Sequence, residues 1–205
     1  MASMGNTSTN GQGVCSPRHM SAQEIEIMKA AVLRRRACIN ELHFTYTHLL
    51  RMLPNLMRRM PETVVLLFHD QFFRTGVLLQ RLTLVSNGHG QPPQPSLCAE
   101  AATLLDKLFH ADRSRTPKTI PGLRTVEALM AVHAHLTHEW GKLVDTLPDD
   151  LLPEFHAEAM DMQRNEMDQY HELAELQKSM LRALAAPAKI RGRNIRERGG
   201  ESATA

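Results

Sequence analysis

The chain has 205 residues, of which 42% are apolar and 22% charged, and a formal net charge of +2. That is room for one domain, or two small ones, around a packed core, and it excludes wholesale disorder. No run approaches the ~18–20 uninterrupted apolar residues of a membrane-crossing helix, and the opening residues lack the apolar stretch of a secretory signal. The expectation is an intracellular, cytoplasmic protein, with a nuclear location left open. Three cysteines, at positions 15, 38 and 98, make no disulfide framework.

Charge is unevenly spread. Residues 18–85 carry ten Lys and Arg against five Asp and Glu, residues 98–186 carry nine against fifteen, and the tail from Pro187 carries five against two. A basic first half and an acidic second half attract each other, within one chain or between chains.

Residues 1–20 are rich in Ser, Thr, Asn and Gly and read as a disordered arm. Ser21 with Glu24 has capping-box spacing and opens a long helix. From there Ile25, Met28, Val32, Arg35, Ile39, Leu42, Tyr46, Leu49 and Leu53 alternate three and four apart, an apolar seam interrupted once, by Arg35. Such a seam packs against a partner helix, so these nine residues are the expected partner-binding face. A helix over 21–53 is about 50 Å long, against a radius of gyration of about 17 Å for a compact domain of this size. The rod therefore bends, protrudes or has company. Pro54 is expected to stop or kink it, with a short linker to Pro61.

Residues 64–85 are apolar nearly all round, the pattern of a central helix. The Ser, Gly and Pro-rich stretch 86–96 is a loop that could divide two hairpins. A shorter amphipathic helix follows over 97–111, then a polar loop over 113–122. After Gly122 the seam returns through Val126, Leu129, His133, Leu136, Trp140, Leu143 and Leu147. The last long helix covers about 154–185, its apolar stripe weakened in the middle by Glu166 and Gln169. Residues 187–205 read as a basic disordered tail. The fold expected over 21–186 is all-α, a bundle of about five helices whose first and last members are long and, being opposite in average charge, are expected to pair antiparallel or between subunits.

Eleven histidines raise the question of metal. The local cluster is His133, His135, His138 and Glu139. His135 and Glu139, four apart, share a helix face. This His-x-x-x-Glu pair resembles the helix of hemerythrin-like di-iron bundles, and that resemblance implies a helical metal site built on His135 and Glu139. The resemblance covers five residues, and the further His-x-x-x-His and His-x-x-x-x-Asp pairs of that pattern do not follow. No Glu-x-x-His pair of the ferritin-like kind occurs. On the seam geometry His138 points away from the core and His135 lies about 130° off it, while His133 reads as a core histidine. No metal or other cofactor is assigned.

Arg36 with His43 and Arg164 with His171 match the Arg-x(4–6)-His spacing of HEPN-type helical ribonucleases. The Arg and His content generates that spacing by chance about as often as it is found. Nucleophile elbows, phosphate loops and dinucleotide fingerprints are absent. Cys38, close to an arginine run but beside Ile39, reads as a small apolar filler. A basic strip of Arg34, Arg35, Arg36, Arg58 and Arg59, extended by Arg191, Arg193, Arg196 and Arg198, could contact nucleic acid, although no aromatic residues interleave to stack on bases. Twelve methionines suit either an adaptable interface or an ordinary core.

These features point to a non-enzymatic helical scaffold, adaptor or assembly factor that meets a protein partner, or a second copy of itself, along the first seam. The alternatives are a helical-bundle metalloprotein using His135 and Glu139, and a nucleic-acid-binding module using the basic helix and tail.

Overall fold

A computed structural model describes residues 21–94, 98–111, 122–148 and 152–185. The arm at 1–20, the tail at 187–205 with its four arginines, Cys15, and most of the loop at 113–122 lie outside the described residues. Five helices follow in order: α1 (Ala22–Met57), α2 (Glu62–Gly88), α3 (Ala99–His110), α4 (Leu123–Thr146) and α5 (Pro153–Ala185). All described regular structure is helical, and none of these helices is long and apolar enough to cross a membrane.

Local chemistry sets the helix ends. Ser21 accepts a hydrogen bond from the Glu24 amide (3.2 Å), and the Glu24 carboxylate accepts one from the Ser21 amide (2.6 Å). This reciprocal pair satisfies two donors that the first turn would leave bare. α1 runs through Pro54 instead of stopping there. Pro54 sits in the last turn, where one missing amide removes a single bond and the helix is ending anyway. Gly122 opens α4 with φ +87°, and the position a Cβ would take there is 3.1 Å from the Met60 sulfur, so a side chain meets both strain and crowding.

α4 packs along α5 and α1 and also carries α3, which rests on α1 and α4. α2 lies on α1 and meets α5 along a looser seam. The four long helices thus form a square in the order α1, α2, α5, α4. Met60, Met180 and Gly122 gather at one end, while the Arg35 contact with Thr146 and the stacked rings of His89 and Phe155 mark the other. α1 and α5 therefore run the same way across a diagonal. Within the chain they are therefore not the antiparallel neighbours that their opposite charge suggested.

The central helix is α4, not the apolar α2. α4 has neighbours on three sides and buries Val126, Leu129, Val132, Leu136, Trp140 and Leu143. Among the described residues α2 has neighbours on one broad side only. Its inner face buries Val64, Phe68, Leu78 and Leu82 together with Gln71, Thr75 and Ser86, and its outer face leaves Leu66, Phe73, Val77 and Leu84 exposed. The basic half meets the acidic half within the chain at the α2–α5 seam. Arg74 bonds Glu172 (3.0 Å), and Arg81 bonds Asp161 (2.9 Å) and Glu158. These half-exposed pairs are each worth under about 1 kcal/mol and set register more than stability.

The bundle closes at Arg35. Residues 22–34 of α1 stand beyond it, with nearly every side chain exposed. Leu136→Ala, deep in the bundle, is expected to cost about 2–5 kcal/mol in urea unfolding, whereas Ile27→Ala in the projecting turns stays within about 0.5 kcal/mol of the parent.

Candidate functional site

The nine seam residues of α1 divide into two groups. Ile39, Leu42, Tyr46, Leu49 and Leu53 are buried in the chain's own core and are not free for a partner. Ile25, Met28 and Val32 are 40%, 50% and 47% exposed, and lie on the same seam beyond the bundle, with Ile27 and Leu33 also exposed. Arg35 is the divider. Its side chain is buried, and Nη2 donates to the Thr146 carbonyl (2.7 Å) at the C-terminal end of α4, where the helix dipole favours a cation. Among the described residues no carboxylate pairs with it, and desolvation lowers its pKa.

Inside the square the polar residues that interrupted the seams come together. Glu166, fully buried on α5, accepts a hydrogen bond at Oε1 from the Tyr46 hydroxyl of α1 (2.7 Å). Its Oε2 takes one from Nδ1 of His133 on α4 (2.7 Å), and Gln169 adds a longer contact at Oε1 (3.4 Å). The Tyr46 oxygen in turn accepts from the Trp140 indole N–H (2.7 Å). Burial and the Glu166 charge push the tyrosine hydroxyl well above its usual pKa, so it stays a donor. The same interior holds buried polar atoms with no protein partner: His133 Nε2, Gln169 Oε1, both side-chain ends of Gln71, and the hydroxyls of Thr75 and Thr125. The cluster ties three helices to one carboxylate. Being sealed from solvent, it offers no approach to a substrate.

A second polar group lies where α3 crosses α1 and α4. His135, expected to face away from the core, is buried there, because α3 covers a side of α4 that a single seam leaves to solvent. Its Nε2 donates to Glu41 Oε1 (3.1 Å), and Glu100 stands 3.7 Å from Nδ1. Glu41 also accepts from the Ala101 amide (3.3 Å), capping the first turn of α3. Glu139 is buried as well but pairs with Lys142. The two residues of the hemerythrin-like pair are thus engaged with different partners, and His138 is exposed. Among the described residues no three His, Cys, Asp or Glu side chains are grouped to hold one metal ion. A cleft of about 500 Å³ adjoins this group, lined in part by Arg34, Cys38, Glu41, Glu100, Glu139 and Lys142. Burial, reinforced by Glu139, pushes the Cys38 thiol up to about 11.

The described arginines of the basic strip do not form one surface. Arg34 and Arg36 are exposed near the start of the bundle, and Arg58 and Arg59 are exposed just after the end of α1. About 33 Å of helix separates them. Arg35 is spent on Thr146, and Arg59 lies 6.0 Å over the Phe109 ring.

The bundle can be set beside known ones. Its fold resembles that of the E. coli stress protein YciF. The crystal structure of YciF aligns with a TM-score of 0.62 over 71% of this chain and 95% of that one, at 17% identity. YciF is matched almost end to end, so the two share the bundle as a whole and not one hairpin of it. At this identity the likeness is one of fold alone. No family model and no curated protein matches the sequence.

Sequence reasoning missed Glu166, Gln169, Glu41 and Glu100 as partners. The available signal was a Glu and a Gln, three apart, sitting on an apolar stripe, with a Tyr and a Trp on facing seams whose polar tips need partners when buried. Tyr46→Phe removes the hydroxyl shared by Trp140 and Glu166 and is expected to lower unfolding stability by about 1–3 kcal/mol. In a Cys15→Ala, Cys98→Ala background, alkylation of Cys38 in the native state should keep rising about tenfold per pH unit towards pH 11, where an ordinary thiol levels off near its own, lower pKa.

Proposed function

We propose that this chain is a non-enzymatic helical docking protein, a scaffold or adaptor whose working element is the projecting start of α1. One observation carries the reading. The seam that packs the bundle through Ile39, Leu42, Tyr46, Leu49 and Leu53 continues past Arg35 through Ile25, Met28 and Val32, where nothing among the described residues covers it. A stripe in coiled-coil register is completed by a helix carrying an apolar stripe of its own. The projecting part is about 20 Å long, just under two heptads with three seam positions, which suits a reversible contact with a partner protein.

The metal reading has less support, since His135 and Glu139 are engaged with Glu41 and Lys142. The nucleic-acid reading has less support as well, with its helical arginines split between two regions.

Partner capture from native lysate, followed by rebinding of purified components, tests the proposal. The expected result is a protein that binds the parent stoichiometrically and binds Ile25→Asp/Met28→Asp/Val32→Asp at least about 30-fold more weakly, as for loss of a central apolar contact. Unchanged circular dichroism over the bundle would accompany it. Equal rebinding by parent and triple variant, or amide exchange at coil rates over 22–34 in the bound state, would overturn it.

A further inference from the structure

The outer face of α2 carries a line of apolar side chains that nothing among the described residues covers. Leu66, Phe73, Val77 and Leu84 are 79%, 57%, 55% and 64% exposed. They lie in one line, diametrically across the helix from Val64, Phe68, Leu78 and Leu82, at the spacing seven, four, seven. Together they expose on the order of 400 Å² of apolar surface, comparable to the largest patch on a typical monomer, which is often functional. The inner face is not purely apolar either. α2 buries Gln71, Thr75 and Ser86 towards its own bundle while turning a leucine, a phenylalanine, a valine and another leucine outwards.

We propose that this face binds a second copy of the same chain, α2 against α2, antiparallel, about a two-fold axis at Thr75. The site is separate from the α1 seam and does not depend on it. The argument is self-complementarity. The full seam reads Leu66, Asp70, Phe73, Val77, Gln80, Leu84, alternating four and three apart as in a coiled coil. Its order of apolar and polar positions is the same in both directions and is centred on residue 75. Antiparallel docking about that centre sets Leu66 on Leu84 of the second copy and Phe73 on its Val77, each contact occurring twice, as an isologous interface requires. It also sets Asp70 opposite Gln80. Asp70 bonds Arg74 through Oδ2 and can accept from the glutamine amide at its other oxygen, so both polar seam positions are satisfied at the same step. A parallel arrangement would instead place Asp70 on Asp70 and Phe73 on Phe73, with two like charges facing inside the seam. A specific dimer buries about 800 Å² per copy. The stripe supplies about half, and the neighbouring polar side chains of α1 and α5 supply a rim.

Light scattering on the full chain, from about 0.5 to 50 µM, reads the assembly. The expected mass is twice 23.1 kDa, with Phe73→Asp and Val77→Asp each raising the dissociation constant about 30-fold or more at unchanged helicity, and with Val32→Asp leaving the mass as it is. Because both aspartates go onto an exposed face, folding is not at stake. In a cysteine-free background, mild oxidation of mixed Leu66→Cys and Leu84→Cys chains should give a disulfide-linked pair, and neither variant alone should do so. A monomer at 50 µM overturns the proposal, whether the stripe stays bare or a tail of the same chain covers it. So does a dimer indifferent to both aspartates, or one in which Leu66→Cys links to itself. Loss of the dimer with Val32→Asp would assign self-association to α1 instead.

Discussion

One buried carboxylate organises this bundle. Glu166 is removed from water, and an isolated charge there would cost several kcal/mol even after relaxation. It is tolerated because Tyr46 and His133, from two other helices, donate to its two oxygens, and Trp140 holds the tyrosine in turn. Those partners are met in only one register of α1, α4 and α5. Aliphatic side chains alone would tolerate a slip of one turn along any of these helices, whereas a slip here would leave a charge and an indole unpaired. The polar centre thus specifies the arrangement that the surrounding Leu, Val and Phe side chains stabilise.

With α1 and α4 fixed, the remaining features follow from who has neighbours. α4 is enclosed on three sides, so His135 and Glu139 are buried although neither lies on its main seam. Glu41 reaches from α1 to cap α3 and to meet His135, which makes the short helix an integral part of the bundle. α2, touched on one broad side, keeps a face that no described residue covers. Exposure in this chain follows topology more closely than it follows side-chain type.

The helices themselves were legible in the sequence. The Ser21–Glu24 cap, the seams of α1 and α4 and the glycine before α4 are local signals, and each lies where its chemistry places it. What could not be read was relative placement. A helix apolar all round is central if other helices surround it and peripheral if they do not, and nothing within residues 64–85 distinguishes the two cases. The Glu166 and Gln169 break in the last stripe looked like weakness because the partners of Glu166, Tyr46 and His133, lie more than thirty residues away, on helices whose rotation the sequence does not state. The histidine cluster misled in the same manner: periodicity gave one seam for α4, and α3 supplied a second.

The passage of α1 through the bundle boundary has a consequence for its free end. Thirteen residues of mixed composition are near the lower limit at which a lone peptide holds a helix in water, because the first turn fixes several residues for a single bond. Here that first turn need not form at all. The projecting segment grows from a helix already seeded by Ile39, Leu42 and Tyr46, and clamped at its exit by the Arg35 bond to Thr146. Its direction and phase are inherited from the interior, so the free end is presented as a templated surface, ordered before anything touches it.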